Sequence, residues 1–190
     1  MMSELLIPDL KHPVTVSEDS YGVPHIYAQN EDDLFLAQGY MTARDRLAQM
    51  ELMRRKGKGC LAEILGPKQI DSDWFELTLG LLLTAKAQIR HYQQNNLPML
   101  QILTQYSKGV NAWIAEAKEP DNLPAFFKQL GYQPENWQAI DTLIIQGLIT
   151  QTLAFGMSQL ERENLTRYLG QERIDHILPE WPLKKQHPYS

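Results

Sequence analysis

The sequence predicts a mainly helical α+β chain with a β-hairpin near its N-terminus. Residues 13–28 alternate apolar and polar positions on both sides of a turn, which is the period of a strand. From residue 30 onward, apolar residues recur at helical spacing, and no internal repeat indicates a solenoid. We therefore interpret residues 1–190 as one segment, with a hairpin over 13–28, a helical part over 30–178 and an extended tail over 179–190.

Composition and charge exclude several classes of protein. The 190 residues suffice to bury a core, and 43% hydrophobic with 22% charged residues is ordinary for a globular protein. A net charge of −5 disfavours nucleic acid as a partner. The single cysteine, Cys60, excludes an internal disulfide and a cysteine-based zinc cluster. Apolar runs fall short of the ~20 residues that a membrane span needs, so no membrane association is predicted. No signal peptide is visible at the N-terminus, and the localisation stays open.

The hairpin follows from the alternation and from the turn residues. Val14 and Val16 share one face of the first strand, and residues 19–22 (Asp-Ser-Tyr-Gly) supply turn chemistry. Pro24 has no N–H to donate, which places it at an edge or at a strand start. Because two short strands do not form a stable sheet by themselves, we expect this hairpin to join strands supplied by another polypeptide.

The remaining elements are predicted helices. Asn30 is a good N-cap for a helix that begins with three acidic residues and ends in basic residues before Gly57. Gly39 is expected to divide this helix in two. A short helix before Gly66 follows. Further helices are predicted over 73–92 and 97–117, then a loop over 118–124, a strongly apolar helix in the segment 132–155, and two short helices at about 159–169 and 171–178.

The chain taken alone lacks the residues of an enzyme active site. His25 is either a general base or, as we favour, a buried and hydrogen-bonded strand histidine. Cys60 has no base near it in sequence, which disfavours a nucleophilic role. Asp71 and Asp73 fit a loop or helix cap better than a catalytic carboxylate pair. The histidines do not pair at metal-ligand spacing. We predict no catalytic residue in this chain.

Spaced motifs of mixed chemistry nevertheless indicate a family. Residues 16–66 resemble the opening of the α chain of penicillin acylases, with a Gly-x-Pro-His strand, a Gly-Tyr-x-x-Ala-x-Asp-Arg-Leu-x-Gln-Met helix, an Arg-Arg pair and an Ala-Glu-x-x-Gly turn. Residues 106–114 and 130–141 look like the helix and loop that follow in that family, so the resemblance extends from about 14 to 170. The matching residues are Gly22, Pro24, His25, Gly39, Tyr40, Ala43, Asp45, Arg46, Leu47, Gln49, Met50, Arg54, Arg55, Gly59, Ala62, Glu63 and Gly66.

The resemblance implies an N-terminal nucleophile (Ntn) hydrolase. Such enzymes are made as one precursor that cleaves itself into a small α chain and a larger β chain, and the two complete a four-layer αββα fold. The nucleophile would be the serine at the β-chain N-terminus, with its own α-amine as base. The catalytic centre would then lie outside these residues. Ser190 cannot be this nucleophile, because an acyl bond occupies its nitrogen.

The resemblance also implies site residues within this chain. Phe155 would contribute an aromatic side chain to the acyl pocket, and Gln151 would stand where the pocket usually has an apolar residue. Ala154 replaces an arginine that flanks the pocket in penicillin G acylases, which weakens the case for recognition of a penicillin carboxylate. Glu161 would give one ligand to a structural Ca²⁺, with Glu163 as its rival and the other ligands from the β chain.

The function implied is hydrolysis of a secondary amide, such as the acyl side chain of a β-lactam nucleus or of a related amine. The partners would be the larger β chain and a small amide substrate. Two alternatives remain open at this point. One is an acyl-homoserine-lactone acylase of the same family, and the other is a non-catalytic helical interaction module.

Overall fold

The structure is a computed structural model that describes residues 2–5, 7–119, 122–154 and 158–177. Within these ranges it is mainly helical with a small N-terminal sheet, as the sequence predicts. No helix in the described ranges is long and apolar enough to cross a membrane. The strands are β1 Met2–Leu5, β2 Val14–Glu18 and β3 Pro24–Tyr27, and the helices are α1 Glu31–Lys58, α2 Ala62–Leu65, a 3₁₀ turn Pro67–Gln69, α3 Ile70–Leu79, α4 Leu81–Gln94, α5 Pro98–Ala117, α6 Ala125–Leu130, α7 Ala139–Ala154, α8 Ser158–Leu169 and α9 Gln171–Ile177.

The sheet contains the predicted hairpin and one strand that the sequence did not predict. Strand β2 lies in the centre, antiparallel to both neighbours, with Leu5 opposite Val14 and Val16 opposite Ile26. Val14 and Val16 are buried, which confirms their shared inward face. Strand β1 of the same chain thus adds a third strand to the hairpin, and the expectation that the hairpin also joins strands of another polypeptide stays a prediction.

The hairpin turn is built around one carboxylate. Asp19 Oδ1 accepts hydrogen bonds from the backbone N–H groups of Tyr21 (2.9 Å) and Val23 (3.0 Å). These bonds hold the pKa of that carboxyl below its usual range. Gly22 takes φ +75°, which favours glycine. His25 faces outward and is half exposed, 3.4 Å from Asp19 Oδ2, so the prediction that it is buried is wrong.

The start of α1 shows the predicted cap and one buried carboxylate. The Asn30 side chain accepts from the Asp33 N–H at 2.9 Å. Asp33 is buried and in turn accepts from the backbone N–H groups of Lys11 (2.8 Å) and His12 (3.0 Å). Burial opposes ionisation of Asp33, but these hydrogen bonds outweigh it and lower the pKa of the carboxyl.

Asp33→Asn is expected to destabilise the protein in a pH-dependent manner. A carboxyl whose pKa is lower in the folded state stabilises the fold above its unfolded pKa of about 3.9, and this contribution disappears as the pH falls through the folded value. The difference in free energy of unfolding between wild type and variant should therefore be largest at pH 7 and shrink below about pH 4. Urea unfolding at a series of pH values measures it. A difference that stays constant down to pH 3 contradicts the assignment.

Helix α1 runs without interruption through Gly39, contrary to the expected division. A Cβ atom at Gly39 would lie 2.1 Å from the backbone oxygen of Tyr106, and one at Gly109 would lie 1.8 Å from that of Leu36. These two glycines therefore allow the backbones of α1 and α5 to touch. Gly39 serves close helix packing, and it does not break the helix.

The interface between α1 and α5 forms the main core. Tyr40 donates its hydroxyl to the Glu116 carboxylate (3.0 and 3.1 Å), and its ring meets Trp113 edge-on at 5.5 Å. Burial, together with this carboxylate, raises the pKa of Tyr40 to about 12. The buried members of the largest core cluster are Ala43, Leu47, Met50, Val110, Ile114, Ala117, Phe127 and Trp137.

Other boundaries differ from the sequence prediction for local reasons. The predicted helix over 73–92 is two helices, because Gly80 takes a left-handed φ of +72° between α3 and α4. Helix α1 ends at Lys58 with a left-handed Gly59 as its cap, two residues beyond the predicted end. The short helix α6 follows the predicted loop and was not predicted; its Phe127 is fully buried.

The chain divides into two compact units, Met1–Ile149 and Thr150–Ser190. In the second unit, α8 and α9 are joined by Gly170 at φ +81°, Arg162 pairs with Asp175 at 2.7 Å, and Ile174 is fully buried. The single-segment organisation stays a prediction, and the predicted tail 179–190 lies outside the described residues.

Candidate functional site

The last two turns of α1 carry a buried ionic cluster. The side chains of Glu51 and Arg54 are each 2% exposed and form an ion pair three residues apart. Arg55, four residues after Glu51, pairs with the other carboxylate oxygen at 2.8 Å. Arg55 also donates to Glu63 of α2 at 2.7 Å and to the Tyr132 hydroxyl at 2.7 Å. Although burial opposes its charge, these partners raise the pKa of the Arg55 guanidinium.

The loop over 131–138 and the start of α7 close this cluster from the other side. Arg54 donates to the Asn136 carbonyl at 3.2 Å and lies over the Trp137 ring, 5.1 Å from its centre. Asp141 is buried 3.4 Å from Arg54 and 2.6 Å from the Lys58 ammonium. Asn111 of α5 exchanges two hydrogen bonds with the Trp137 backbone, at 2.6 and 2.9 Å. The motif residues of α1, α5 and this loop are thus joined in one network.

The carboxylate of Asp73 acts as a helix cap. It accepts from the N–H groups of Leu61 and Ala62, both at 2.8 Å, at the start of α2. This result confirms the interpretation of Asp73 as a cap residue, whereas Asp71 lies exposed in the first turn of α3. Cys60 beside them donates its thiol to the Arg55 carbonyl at 3.6 Å, and burial raises the pKa of that thiol. Cys60 is therefore a poor nucleophile at neutral pH.

Polar contacts of the histidine side chains in the described ranges are with asparagine amides and with the carboxylates of Asp19 and Asp33. Within the described ranges, His12 and His91 each lie beside an asparagine amide, at 3.0 Å from Asn30 and 3.2 Å from Asn95. His25 lies beside Asp19, and His176 is exposed on α9. In the described part of the chain, none of these hydrogen bonds joins a histidine to a serine, threonine or cysteine. The prediction that this chain holds no catalytic residue stays a prediction.

The predicted acyl-pocket residues lie at the end of α7. Gln151 is partly buried, and its carbonyl oxygen Oε1 is buried with no hydrogen-bond partner among the described residues. Ala154 is the last residue of α7, and only its backbone is described. Phe155 lies outside the described residues. The three roles taken from the resemblance therefore remain predictions.

The predicted metal ligand lies in the first turn of α8. Glu161 is exposed, and its carboxylate has no ion pair within the described part of the chain. Its rival Glu163 is paired with Arg167 at 2.6 Å, which makes Glu161 the more available oxygen donor. No group of three or more His, Cys, Asp or Glu residues in the described ranges is arranged to hold a metal. The described residues thus offer no complete Ca²⁺ ligand set, and the role of Glu161 as one ligand among others from a partner stays a prediction.

Sequence reasoning identified the motif residues of the ionic cluster but missed what they do. A signal was present, since Glu51 precedes Arg54 and Arg55 by three and four residues, which places all three on one helix face. The burial of these three side chains could not be predicted from the sequence, because it depends on the loop over 131–138 and on α7, which are distant in the chain. The cluster is a structural site, since its ion pairs and ring contact join α1 to the loop over 131–138 and to α7.

Comparison with known proteins identifies the family. A family model described as penicillin amidase matches residues 13–187. An acyl-homoserine lactone acylase of Pseudomonas aeruginosa is 32% identical over 178 residues, which are 93% of this chain and 20% of that protein. The penicillin acylase 2 proenzyme of a Pseudomonas species is 38% identical over 73% of this chain and 17% of its own length. Penicillin G acylase of Escherichia coli is 34% identical over 80% of this chain and 18% of its own length.

A solved structure extends the likeness to the fold. A chain of the thermostable penicillin G acylase from Alcaligenes faecalis superposes with a TM-score of 0.71 at 27% identity, covering 88% of this chain and 92% of that chain. The chain studied here spans about a fifth of the length of the curated relatives it matches. The match of the family model across almost all of the sequence places this chain in the penicillin amidase family.

Proposed function

We propose that this chain is the small α part of a penicillin-acylase-like amide hydrolase whose nucleophile belongs to a separate, larger β chain. One observation carries the proposal. The proenzyme and the other curated relatives are about five times longer than the segment they share with this chain, whereas the solved penicillin G acylase chain is matched over 92% of its length. A short chain of this kind therefore exists as a separate polypeptide in a relative, which supports the assignment of the rest of the enzyme to another chain.

The proposed reaction is hydrolysis of a secondary amide. The serine hydroxyl at the β-chain N-terminus attacks the amide carbonyl, and its own α-amine accepts the hydroxyl proton. The amine leaves with a proton, and water then releases the carboxylic acid from the acyl-serine. The four-layer αββα fold completed by both chains belongs to the proposal, and the exposed edge strand β3 is where a sheet of the partner has room to extend.

The acyl preference is the less defined part of the proposal. Gln151, Ala154 and Phe155 would line or flank the acyl group, and without an arginine at position 154 a penicillin carboxylate would lose a cationic partner. The likeness to the acyl-homoserine lactone acylase over 93% of this chain favours a second candidate, cleavage of a fatty acyl amide. Both candidates break the same type of bond.

Kinetics on a panel of amides tests the proposal. Phenylacetyl, phenoxyacetyl and C6–C12 acyl amides should be compared by kcat/KM with the assembled protein. A preference for aryl-acetyl groups supports the penicillin acylase, and a preference for long acyl chains supports the lactone acylase. Negligible rates on all of them would leave the non-catalytic helical module as the remaining function. The reading frame downstream of this segment provides an independent check, since an enzyme of this type requires a serine directly after the cleavage point.

A calcium prediction follows from the exposed carboxylate of Glu161. In the assembled protein, Glu161→Gln should lower the Tm in the presence of Ca²⁺, because it removes a charged oxygen ligand. The difference from wild type should become small when a chelator removes the ion. Glu163→Gln is the matched control, since its carboxylate is already paired with Arg167. Melting curves of both variants with and without calcium measure this, and a chelator-independent loss of Tm in Glu161→Gln refutes the ligand role.

A further inference from the structure

Helix α3 has its polarity inverted. Its buried residues are the two acids Asp73 (8% exposed) and Glu76 (2%), whereas large apolar side chains face outward. Trp74 is 71% exposed and Leu77 is 58% exposed. Asp71 is the only charged side chain among the exposed residues of α3, a helix that is described throughout. The outward face of α3 is defined here as Ile70, Trp74, Leu77 and Leu79.

The inward acids fix this orientation. Asp73 caps α2 through the N–H groups of Leu61 and Ala62, and Glu76 lies 3.9 Å from the Lys56 ammonium. Helix α3 also lies tightly against the end of α1, where a Cβ at Gly59 would meet the Leu77 side chain at 2.6 Å and the Asp73 carbonyl at 2.9 Å. Turning the apolar face inward would break the cap and bury Asp71, so the chain cannot cover this face by rotating α3.

Such a face is costly in water. An exposed large apolar side chain forgoes the free energy that its burial would contribute, and single chains rarely leave a contiguous apolar patch uncovered. Tryptophan is also the residue type most enriched among those that dominate interface energies. The outward face of α3 therefore has the composition of an interface core.

We propose that the outward face of α3 is a docking surface for the larger chain, an inference that rests on the proposed function. The occupant follows from length: about four-fifths of each curated relative lies outside the segment shared with this chain, and that polypeptide must contact it somewhere. Because the face carries a single charge at its N-terminal end, the matching surface should be apolar and aromatic with few charges. Trp74 is the central anchor, flanked by Leu77 one turn further along.

The test uses the assembled protein purified with all of its chains. Trp74→Glu combined with Leu77→Glu should weaken association of the larger chain by at least about 30-fold, the effect of losing one dominant interface residue. Tyr21→Glu is the control, since Tyr21 is an exposed aromatic (91%) in the hairpin turn. Oxidative footprinting of the wild-type assembly should find Trp74 shielded. Because Leu77 also packs against Gly59 whereas Trp74 is 71% exposed, Trp74→Glu alone should keep the far-ultraviolet circular dichroism of wild type and still weaken association.

Each contrary result has a separate meaning. If Trp74 is oxidised as readily as Tyr21 while the assembly hydrolyses amides, the docking inference fails and the proposed function stands. If Trp74 is shielded but the double variant keeps the larger chain, then another occupant, such as a second copy, covers the face, and the inference is again overturned. If no larger chain accompanies the native protein and no amide is cleaved, both the proposed function and the docking surface fail.

Discussion

Arg54→Ala is expected to lower the free energy of unfolding by about 3–5 kcal/mol, the usual cost of removing one partner from a buried ion pair. The Arg54 side chain is 2% exposed and contacts two buried carboxylates, Glu51 and Asp141. Without the guanidinium, both acids keep their burial but lose a counter-charge. Glu51 would retain Arg55 and Asp141 would retain Lys58, which limits the loss but does not remove it.

The same substitution also removes packing that joins distant parts of the chain. Arg54 lies over the Trp137 ring and donates to the Asn136 carbonyl, so it connects α1 to the loop over 131–138. Alanine leaves a cavity beneath the indole ring and an unpaired carbonyl, each of which is destabilising. The loss of unfolding free energy should therefore be larger than the loss expected from removing the charge of Arg54 alone.

Urea unfolding of the assembled protein, followed by circular dichroism, measures the change. Arg44→Ala is the matched control, because Arg44 is on the same helix but forms its ion pairs with Glu18 and Asp45 at the surface. A pair of that kind contributes less than about 1 kcal/mol. If Arg54→Ala and Arg44→Ala change the midpoint equally, then the buried cluster does not stabilise the fold as argued.

Local sequence signals predicted the elements that are defined by local chemistry. Asn30 caps α1 as predicted because an asparagine followed by acidic residues satisfies the first N–H groups of a helix. The turn before β3 follows likewise from Asp19 and Gly22. In both cases the hydrogen-bonding partners lie within a few residues of each other in the sequence. A local sequence pattern therefore suffices to predict the hydrogen bonds.

Features that depend on distant partners were missed or misread. Strand β1 has no alternation of its own and is defined by pairing with β2. His25 was expected to be buried, but β3 is an edge strand whose outer face is open. Gly39 illustrates the same limit, since a lone glycine in a helical pattern indicates a break unless the close approach of another helix is known.

The candidate site shows this limit most clearly. The resemblance to the family identified Arg54 and Arg55 as motif residues. The structure shows that they lie in a buried ionic cluster that also contacts the loop over 131–138. For Phe155, which lies outside the described residues, the resemblance is the sole source of a role. The inverted polarity of α3 could not be predicted from the sequence pattern. The carboxylate contacts of Asp73 and Glu76 determine which face of the helix is buried.

Gly109→Ala is expected to destabilise the protein by about 3 kcal/mol, although the same change in an exposed helix stabilises by about 1 kcal/mol. The new methyl group would lie 1.8 Å from the Leu36 carbonyl oxygen, an atom of the α1 backbone that no rotamer change can move. Helices α1 and α5 would have to separate, which loosens the contact between Tyr40 and Trp113 and the core around Val110. Gly39→Ala should act in the same direction, with its methyl 2.1 Å from the Tyr106 carbonyl oxygen.

Gly147→Ala separates this packing effect from the general preference of helices for alanine. Gly147 lies inside α7, and the atoms nearest to a methyl group there would be those of the Leu81 side chain, the first at 3.2 Å. Since that side chain can move, we expect a change within about 1 kcal/mol of wild type, of either sign. Thermal and urea unfolding of the assembled variants compare the positions. If all three substitutions change the stability equally, α1 and α5 can adjust to the added methyl groups, and backbone contact does not fix their spacing. If only the substitutions at 39 and 109 destabilise the protein, these two glycines set the distance between α1 and α5.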